Sequence, residues 1–437
     1  MEKKRTGKIN IFWFRRDLRL HDNAGLFHAL KSGFPLLPVF IFDTGILGKL
    51  EDRNDARVMF IHDEIGRIHA SLENNRSGVF VRQGDPLEIF RHLAENYHIS
   101  AVFCNHDYEP YALQRDGEIK KYLDSKGILF HTFKDQVIFE KAEILNGQGE
   151  PYKVFTPYRN AWLSAYRNRE STSFPSEKLL SNMISPGPEK IPSLHDLGFM
   201  RSSLPVPSRE FDTGIISSYD KNRDFPASEG TSRLGIHLRH GTLSIREAAR
   251  IGEKYNPAWL NELIWREFYM MILFHFPRVI NHAFKSGYDR IPWDNDEENY
   301  SRWCEGRTGY PMVDAGMREL DRTGYMHNRV RMITASFLAK HLLIDWRWGE
   351  AWFGRKLLDY ELASNNGGWQ WAAGTGTDAQ PYFRIFNPYV QVQKFDPELR
   401  YIKKWIPEIN TDKYPKPMID HTFARIRAIE TYKKAIG

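Results

Sequence analysis

The chain's first apolar run reads Ile9-Asn-Ile-Phe-Trp-Phe14, and Arg15-Arg-Asp17 follows it directly. Further short apolar runs alternate with amphipathic stretches over residues 1–133, as strands and helices do in a parallel sheet. The predicted strands are Ile9–Phe14, Leu36–Phe42, Val79–Arg82, Ala101–Asn105 and Ile128–Phe133. The predicted helices are Asn54–Glu73, Pro86–Tyr97 and Tyr111–Ser125. Residues 1–133 are therefore predicted to form a Rossmann-like α/β domain.

A sheet of this kind binds ligands beyond the carboxyl ends of its strands. A dinucleotide held in the usual Rossmann manner requires Gly-x-Gly-x-x-Gly directly after the first strand. Phe14-Arg-Arg-Asp17 stands there instead, so the sequence argues against that mode of binding.

The remainder of the chain has a different pattern. Residues 134–205 are rich in Pro and Gly, as in Asn146-Gly-Gln-Gly-Glu-Pro151 and Ser185-Pro-Gly-Pro188, and predict a long connector that wraps one domain onto another. Residues 206–437 show apolar residues at helical spacing, which predicts a large all-α domain. Its predicted helices are Leu243–Glu253, Asn261–Phe274, Pro311–Thr323, His327–Leu342 and Trp348–Leu358.

Chain length, net charge, cysteine count and the length of the apolar runs exclude some classes of protein. A length of 437 residues suggests two or three domains, and a net charge of +6 permits an anionic partner without identifying one. The two cysteines, Cys104 and Cys304, provide neither a disulfide framework nor zinc spacing, and no metal site is expected. No run reaches the roughly 18 apolar residues of a membrane helix. The charged start does not resemble a signal peptide, so a cytoplasmic protein is expected.

Ten of the 12 tryptophans follow residue 205, and several lie near Asp359-Tyr-Glu-Leu-Ala-Ser-Asn-Asn-Gly-Gly-Trp-Gln-Trp371. If this stretch is helical up to its glycines, Asp359, Glu361 and Asn365 lie near one another over two turns. Buried polar groups need partners, and a heteroaromatic cofactor with ribityl hydroxyls would supply them. A helix end capped by the two glycines explains the stretch equally well.

A second stretch, Tyr219–Gly235, places the hydroxyls of Thr231 and Ser232 just before the apolar-periodic residues Leu238–Ala249. A helix start of that kind suits a phosphate. For this stretch taken alone, a plain helix N-cap is the more common explanation.

Two helical stretches carry paired polar and large side chains. Glu262 and Trp265 share a helix face, as do Asn328 and Met332, while Arg329 is expected to point elsewhere. A carboxyl beside an indole suits a planar ligand, although core Trp and surface Glu are commoner. Arg329 alone indicates a solvated face, and Arg331 could pair with an acid such as Asp359.

Read together, these segments resemble the photolyase and cryptochrome family, most closely the class I cyclobutane pyrimidine dimer photolyases. The resemblance covers nearly the whole chain, from Trp13-Phe-Arg-Arg-Asp-Leu-Arg-Leu-His-Asp-Asn23 through Tyr152-Lys-Val-Phe-Thr-Pro-Tyr158 to Asn387-Pro388. Its most specific parts are Gly306–Met332 and Asp359–Pro388, especially Asn365-Asn-Gly-Gly-Trp-Gln-Trp371 and Pro381-Tyr-Phe-Arg-Ile-Phe-Asn-Pro388. It implies an enzyme that binds FAD in its helical domain and repairs DNA containing pyrimidine dimers. Blue light would excite reduced FAD, one electron would pass to the dimer, and the electron would return after the ring opens.

The resemblance also assigns roles to individual residues. The implied FAD-binding residues are Tyr219, Thr231, Ser232, Arg233, Leu234, Gly235, Trp259, Arg331, Asp359, Tyr360, Glu361 and Asn365. The implied catalytic residues are Trp369, Trp346 and Trp293, as an electron relay ending at an exposed Trp293, together with Asn365 facing flavin N5 and Glu262. The implied substrate and DNA contacts are Glu262, Trp265, Asn328, Arg329, Met332, Trp371, Arg223 and Gln391. From spacing alone, each tryptophan is more typical of a core.

Alternatives within the family differ at identifiable positions. The (6-4) photolyases place a histidine pair where this chain has Asn328 and Met332, and plant-type cryptochromes carry Asp where this chain has Asn365. Photoreceptors of the family usually add a C-terminal tail, and this sequence ends at Gly437. A cryptochrome-like photoreceptor, a (6-4) photolyase and a binding module with structural FAD remain the alternatives. A monomer is expected.

Two departures from the family's pattern concern ligands. Folate-binding members carry Asn-Glu where this chain has Tyr111-Ala112, so a folate antenna held in that way is not expected. A deazaflavin, a second flavin and an empty pocket stay open. Glu361 stands where many members have Asp, which adds one methylene at a ribityl contact.

Overall fold

The structure is a computed structural model that describes residues 7–73, 76–169, 172–185, 187 and 190–436. The charged residues 1–6 and the connector's Pro186 and Pro188 lie outside that range. Unit 1 comprises Met1–Glu140, Asn168–Arg209 and Leu234–Arg250, and unit 2 comprises Lys141–Arg167, Glu210–Arg233 and Ile251–Gly437. The predicted connector, residues 134–205, is thus divided between the units. The boundaries 1–133, 134–205 and 206–437 stay a prediction.

Unit 1 contains a five-stranded parallel sheet, which confirms the predicted α/β class. Its strands are β1 (Lys8–Phe14), β2 (Leu36–Asp43), β3 (Phe80–Gly84), β4 (His98–Asn105) and β5 (Leu129–Phe133), in the order β3-β2-β1-β4-β5. Every residue of β2 is buried, as expected for a parallel strand covered on both faces. Trp13 of β1 aligns with Val39 of β2, and Phe12 aligns with Phe103 of β4.

The two faces of the sheet carry separate apolar cores. Phe12, Phe14 and Phe40 belong to one core, whereas Trp13 and Val39 belong to the other. This alternation follows from the twofold side-chain period of a strand.

The helices within the described ranges are, in chain order, α1 (Ala24–Lys31), α2 (Thr44–Leu47), α3 (Ala56–Glu73), α4 (Pro86–Asn96), α5 (Pro110–Ser125), α6 (Phe155–Asn168), α7 (Thr213–Ser217), α8 (Tyr219–Asn222), α9 (Gly235–His240), α10 (Ile245–Tyr255), α11 (Pro257–His275), α12 (Glu297–Cys304), α13 (Pro311–Thr323), α14 (Asn328–Ser336), α15 (Trp346–Lys356), α16 (Leu362–Ala373), α17 (Pro388–Phe395), α18 (Arg400–Trp405) and α19 (His421–Ile436). Unit 2 is largely helical, as predicted. Across the described residues, no helix is long and apolar enough to span a membrane.

Helix α16 corrects one expectation. It begins at Leu362 and continues through Gly367 and Gly368, so these glycines neither end nor cap it. The cap is Gly374, at φ +87°. Gly367 is needed for packing, because a Cβ there would lie 2.1 Å from Cδ1 of Tyr269 on α11.

The predicted helix His327–Leu342 is regular only as α14, and a wider helical turn, Phe337–His341, follows it. Lys340 lies in this turn, is 1% exposed, and donates from Nζ to the carbonyl oxygen of Arg384 at 2.9 Å. Burial lowers the pKa of Lys340 to about 7.

This buried lysine predicts a pH dependence of stability. The unfolded chain retains the ordinary lysine pKa of ~10.4, so it binds more protons than the folded chain between pH ~7 and ~10. The free energy of unfolding should therefore gain a contribution as pH rises through this window. Lys340→Met should remove that contribution, which denaturant unfolding at several pH values would measure. Lys356→Met, at a partly exposed lysine paired with Asp321, should keep the wild-type slope, and an unchanged slope in Lys340→Met would contradict the prediction.

Candidate active site

A cavity of about 410 Å³ opens among helices α11, α14, α15 and α16 of unit 2. The predicted site residues that line it are Arg223, Glu262, Trp265, Asn328, Arg329, Arg331, Met332, Asp359, Tyr360, Glu361, Asn365, Trp369 and Trp371. Residues that the sequence reasoning missed also line it: Arg266, Tyr269, Ala335, Phe353, Leu357, Ser364 and Gly368. Helical spacing from Glu262 and Trp265 would have identified Arg266 and Tyr269, which lie four residues further on.

Two ion pairs occupy one part of the wall. Arg331 Nη2 donates to both carboxylate oxygens of Asp359, at 3.1 and 2.9 Å, so the expected pairing of these two side chains is confirmed. Its Nε donates to the carbonyl oxygen of Met326 at 2.7 Å, which fixes the guanidinium. Arg266 Nη2 donates to Glu361 Oε1 at 3.0 Å. Both pairs hold charged groups at the cavity in a defined orientation.

Asn365 is oriented by Glu350, which no sequence pattern had indicated. The Asn365 amide nitrogen donates to the carbonyl oxygen of Glu350 at 3.0 Å and to its Oε1 at 2.8 Å. Because a main-chain carbonyl only accepts, the amide nitrogen must face Glu350 and the amide oxygen must point away from that carbonyl. Burial raises the pKa of Glu350, although the hydrogen bond from Asn365 opposes the shift.

Glu262 forms a second polar region of the cavity. Arg223 Nη1 lies 2.5 Å from Glu262 Oε1, and Tyr219 also hydrogen-bonds this carboxylate. Burial raises the pKa of Glu262, and the charge of Arg223 partly offsets this shift. The carboxylate, whose side chain is 33% exposed, is therefore held in place at the cavity wall.

The indole of Trp265 is held by stacking. Phe155, at the start of α6, lies parallel to it with ring centroids 3.6 Å apart and an interplanar angle of 6°. The amide of Phe155 donates to Asp378 Oδ2 at 3.1 Å, which anchors this end of α6. Phe155 belongs to the Tyr152–Tyr158 stretch, for which the residues alone had suggested no role.

Helix α14 brings Asn328 and Met332 to the cavity together, with Asn328 Nδ2 3.9 Å from Met332 Sδ. Arg329 corrects an expectation, because it lines the same cavity rather than a solvated face. Its guanidinium pairs with Asp224 at 2.5 Å and lies 4.4 Å from the ring centre of Phe395. Helical spacing places Arg329 on a different face from Asn328 and Met332, but its long side chain still reaches these partners.

The expected phosphate-binding stretch lies apart from the cavity lining. Thr231 Oγ1 lies 3.0 Å from the Tyr325 hydroxyl, and Trp259 Nε1 donates to Ser232 Oγ at 3.2 Å. The Arg233 guanidinium lies 4.7 Å from the Tyr325 ring centre.

The predicted helix after this stretch is interrupted. The six-residue α9 ends at His240 and is capped by Gly241, at φ +63°, and α10 begins at Ile245, so Thr231 and Ser232 do not begin one long helix. Leu234 and Gly235 belong to unit 1, and Gln391 lies on α17 outside the cavity lining.

The three relay tryptophans all lie in or against one apolar cluster of unit 2. Trp369 is buried at the cavity, and Trp346 is buried in the same apolar cluster. Trp293 packs against this cluster and is partly exposed. Their placement is compatible with a relay, whose operation stays a prediction.

The cavity has the features that FAD requires. The Nε1 of Trp369 is buried and has no hydrogen-bond partner among the residues described, so it offers a donor. A Cβ on Gly368 would meet nothing within 4 Å, so this wall is open. Flat aromatic surfaces, two ion pairs and a fixed amide together suit a planar ring system with a polyhydroxyl chain.

Comparison with known proteins agrees with this geometry. The family model described as the FAD binding domain of DNA photolyase matches residues 259–413, and the DNA photolyase model matches residues 10–178. The deoxyribodipyrimidine photo-lyase of Halobacterium salinarum is 36% identical over 98% of this chain and 100% of its own length. That of Escherichia coli is 36% identical over 98% of each chain. The solved structure of a Sulfolobus tokodaii photolyase with two FAD molecules has a TM-score of 0.88 at 32% identity, covering 98% of this chain and 100% of its own.

Proposed function

The chain belongs to the DNA photolyase family, and we propose that it is a deoxyribodipyrimidine photo-lyase that uses blue light to split cyclobutane pyrimidine dimers in DNA. The observation that carries this proposal is that one cavity of unit 2 brings both sets of residues together. Its wall combines Asn365 and the Arg331–Asp359 pair with Glu262, Asn328 and Trp265. A cofactor and a flipped lesion would therefore meet in one chamber.

The helical unit binds FAD, the cofactor of its matched domain. Asp359, Glu361 and Tyr360 would line the ribityl chain, and Arg331 would hold Asp359 beside the ring system. Within unit 2, Tyr219, Trp259 and residues 231–233 would contact the phosphates and the adenine. When bound, reduced and excited FAD supplies the electron that opens the cyclobutane ring. The chain's own residues orient this group and exclude water from it.

The substrate would occupy the part of the cavity near Glu262. The Glu262 carboxylate would accept a hydrogen bond from a pyrimidine N–H, and Asn328 would bond the other polar edges. The indoles of Trp265 and Trp371 would contact the extruded bases, with Met332 packing beside them.

Residues at the rim would bind the DNA backbone. Arg223, Arg329 and Gln391 would contact phosphates, which supply much of the affinity for DNA and little sequence preference. An enzyme of this design should bind damaged duplexes of differing sequence.

Substrate choice tests the proposed class. The protein should repair an oligonucleotide with a cyclobutane thymine dimer under blue light and leave one with a (6-4) lesion unchanged, because Asn328 and Met332 offer no histidine pair for acid-base chemistry. Repair of the (6-4) lesion alone would favour that alternative. Flavin photochemistry without repair of either lesion would favour a photoreceptor.

Asn365→Asp should change the protonation of the site. The new carboxyl would lie against the Glu350 carboxyl, and two close carboxyls cannot both ionise readily, so one retains a proton at neutral pH. That proton would be available at the flavin edge, where Asn365 offers none, and repair per absorbed photon should fall. Glu350→Gln keeps an acceptor for the Asn365 amide and should repair normally. Unchanged repair and an unchanged flavin spectrum in Asn365→Asp would contradict this role.

We further propose that a second, light-harvesting chromophore binds this protein, which would act as a monomer in the cytoplasm. The Sulfolobus tokodaii relative, whose structure contains two FAD molecules, supports the second chromophore. At the position of the folate motif this chain has Tyr111, whose hydroxyl hydrogen-bonds the Asp43 carboxylate at 2.9 Å, so the Asn-Glu pair of that motif is absent. Chromatography of the chromophores released from pure protein tests this, since a single FAD per chain would overturn it.

A further inference from the structure

Trp369 contacts a chain of aromatic rings that the predicted relay does not use. Its ring centroid lies 6.0 Å from that of Trp303 on α12, and Trp303 stacks on Tyr300 at 6.0 Å. Tyr300 in turn contacts Trp348 at 5.2 Å and Trp352 at 6.5 Å, both on α15. Because Trp348 and Trp352 are partly exposed, the rings connect the cavity wall to solvent.

Nearby charges distinguish the predicted route, which leaves Trp369 through Trp346, from the row of rings that leaves it through Trp303. The Arg347 guanidinium lies 4.8 Å from the ring centre of Trp346, and a nearby cation disfavours a radical cation on that indole. Asp345 and Asp289 pair with Arg347 and offset part of this effect. The Trp303 indole instead donates to the Thr334 carbonyl at 3.2 Å, and this dipole stabilises positive charge.

The same reasoning decides whether Trp348 or Trp352 is the solvent-exposed end of this row of rings. Lys356 Nζ lies 5.2 Å from the ring centre of Trp352, which disfavours a positive charge there. Over the ranges that the structure describes, no cation lies over the ring of Trp303 or Trp348. Trp348 is therefore the preferred exposed end.

Tyr300 lies between the indoles of Trp303 and Trp348, and its own oxidation is unfavourable. Its hydroxyl donates to the carbonyl oxygen of Trp348 at 3.1 Å, and burial raises its pKa. Oxidation of a phenol is favourable when its proton can leave, and a main-chain carbonyl is a weak base. Tyr300 therefore acts as a bridge between Trp303 and Trp348.

We propose that this protein has a second electron route to its flavin, from Trp348 across Tyr300 to Trp303 and Trp369, beside the predicted route through Trp346 and Trp293. The inference rests on the proposed function, because it requires FAD at the cavity. One electron passes from Trp369 to the photoexcited flavin, one from Trp303 to Trp369, and one from Trp348 to Trp303. A dissolved thiol then gives one electron to Trp348 and loses a proton, and no bond within the protein breaks.

The test blocks each route separately. Trp346→Phe interrupts the predicted route, and photoreduction of oxidised FAD in the presence of dithiothreitol should persist in it. Adding Trp348→Phe should slow photoreduction about tenfold further, equivalent to ~1.4 kcal/mol of barrier. Trp348 is partly exposed, so this variant should fold where a change at the buried Trp303 could fail.

A second readout locates the oxidised side chain directly. Illumination without a reductant, followed by peptide mass spectrometry, should find oxidation products on Trp348, and more of them in Trp346→Phe. Trp405→Phe is the matched control, since Trp405 is partly exposed in the same unit and, within the described part of the molecule, its ring does not contact Trp348, Tyr300, Trp303 or Trp369. This variant should change neither readout.

Two results would overturn the second route: loss of photoreduction in Trp346→Phe alone, or equal rates in the single and double variants. Repair by chemically reduced wild-type protein tests the proposed function separately, because flavin that is already reduced needs no relay.

Discussion

Glu262→Ala is expected to weaken dark binding of a dimer-containing duplex by about 10- to 150-fold, because a hydrogen bond to a charged group is worth ~1.5–3 kcal/mol. The Glu262 carboxylate is fixed by Arg223 and Tyr219 at the cavity wall, so its loss removes a positioned acceptor. Binding of an undamaged duplex should change little, since phosphate contacts dominate there. Titration of both duplexes under red light measures the difference.

A matched variant separates charge from shape. Glu262→Gln keeps the size of the side chain and one acceptor oxygen, so it should bind the dimer with intermediate affinity. Burial raises the pKa of Glu262, so wild-type affinity should begin to fall at a higher pH than for an ordinary glutamate as the pH is lowered. The Gln variant should lack this component. Equal affinities of wild type and Glu262→Ala for the damaged duplex would remove Glu262 from the substrate site.

Glu361→Ala is expected to lower the free energy of unfolding by about 3–5 kcal/mol, the usual cost of removing one partner of a buried ion pair. The side chains of Arg266 and Glu361 are only 10% and 5% exposed, so the Arg266 charge would remain buried without this carboxylate. Retention of FAD should fall with stability, since Glu361 lines the cavity. Denaturant unfolding and the flavin content after gel filtration measure both effects.

Two variants calibrate this loss. Ser364→Ala removes only the hydrogen bond from Ser364 Oγ to Glu361 Oε2, 3.2 Å long, and should cost about 1 kcal/mol. Glu361→Asp introduces the residue that many photolyases carry and should retain FAD. If Glu361→Ala were as stable as Ser364→Ala, the Arg266–Glu361 pair would be unimportant for this fold.

The elements of the sheet could be predicted from local patterns. All five predicted strands are present with ends shifted by at most three residues, because continuous apolar runs between helices are distinctive of a parallel sheet. Helix α16 differs from the prediction that its glycines end it, a prediction that follows from the usual place of glycine at helix ends. Here Gly367 continues the helix because Tyr269, almost 100 residues away, needs the space.

The site could be predicted where residues share one helix face or a family motif, as for Asn328 and Met332. The residues that hold the site residues in place could not be predicted. Phe155 stacks on Trp265 from another helix, and Glu350 orients Asn365 from the preceding one. Such contacts arise from tertiary packing and leave no periodic signal in the sequence. The Trp369–Trp303 contact is of the same kind.

The most direct test of the proposed activity is photorepair of a defined thymine-dimer oligonucleotide by the reduced protein, with a dark control. Intact thymines should return under blue light and not in the dark, and repair should fall in Glu262→Ala. If protein that holds reduced FAD restores no thymines under light, the chain is not a dimer photolyase.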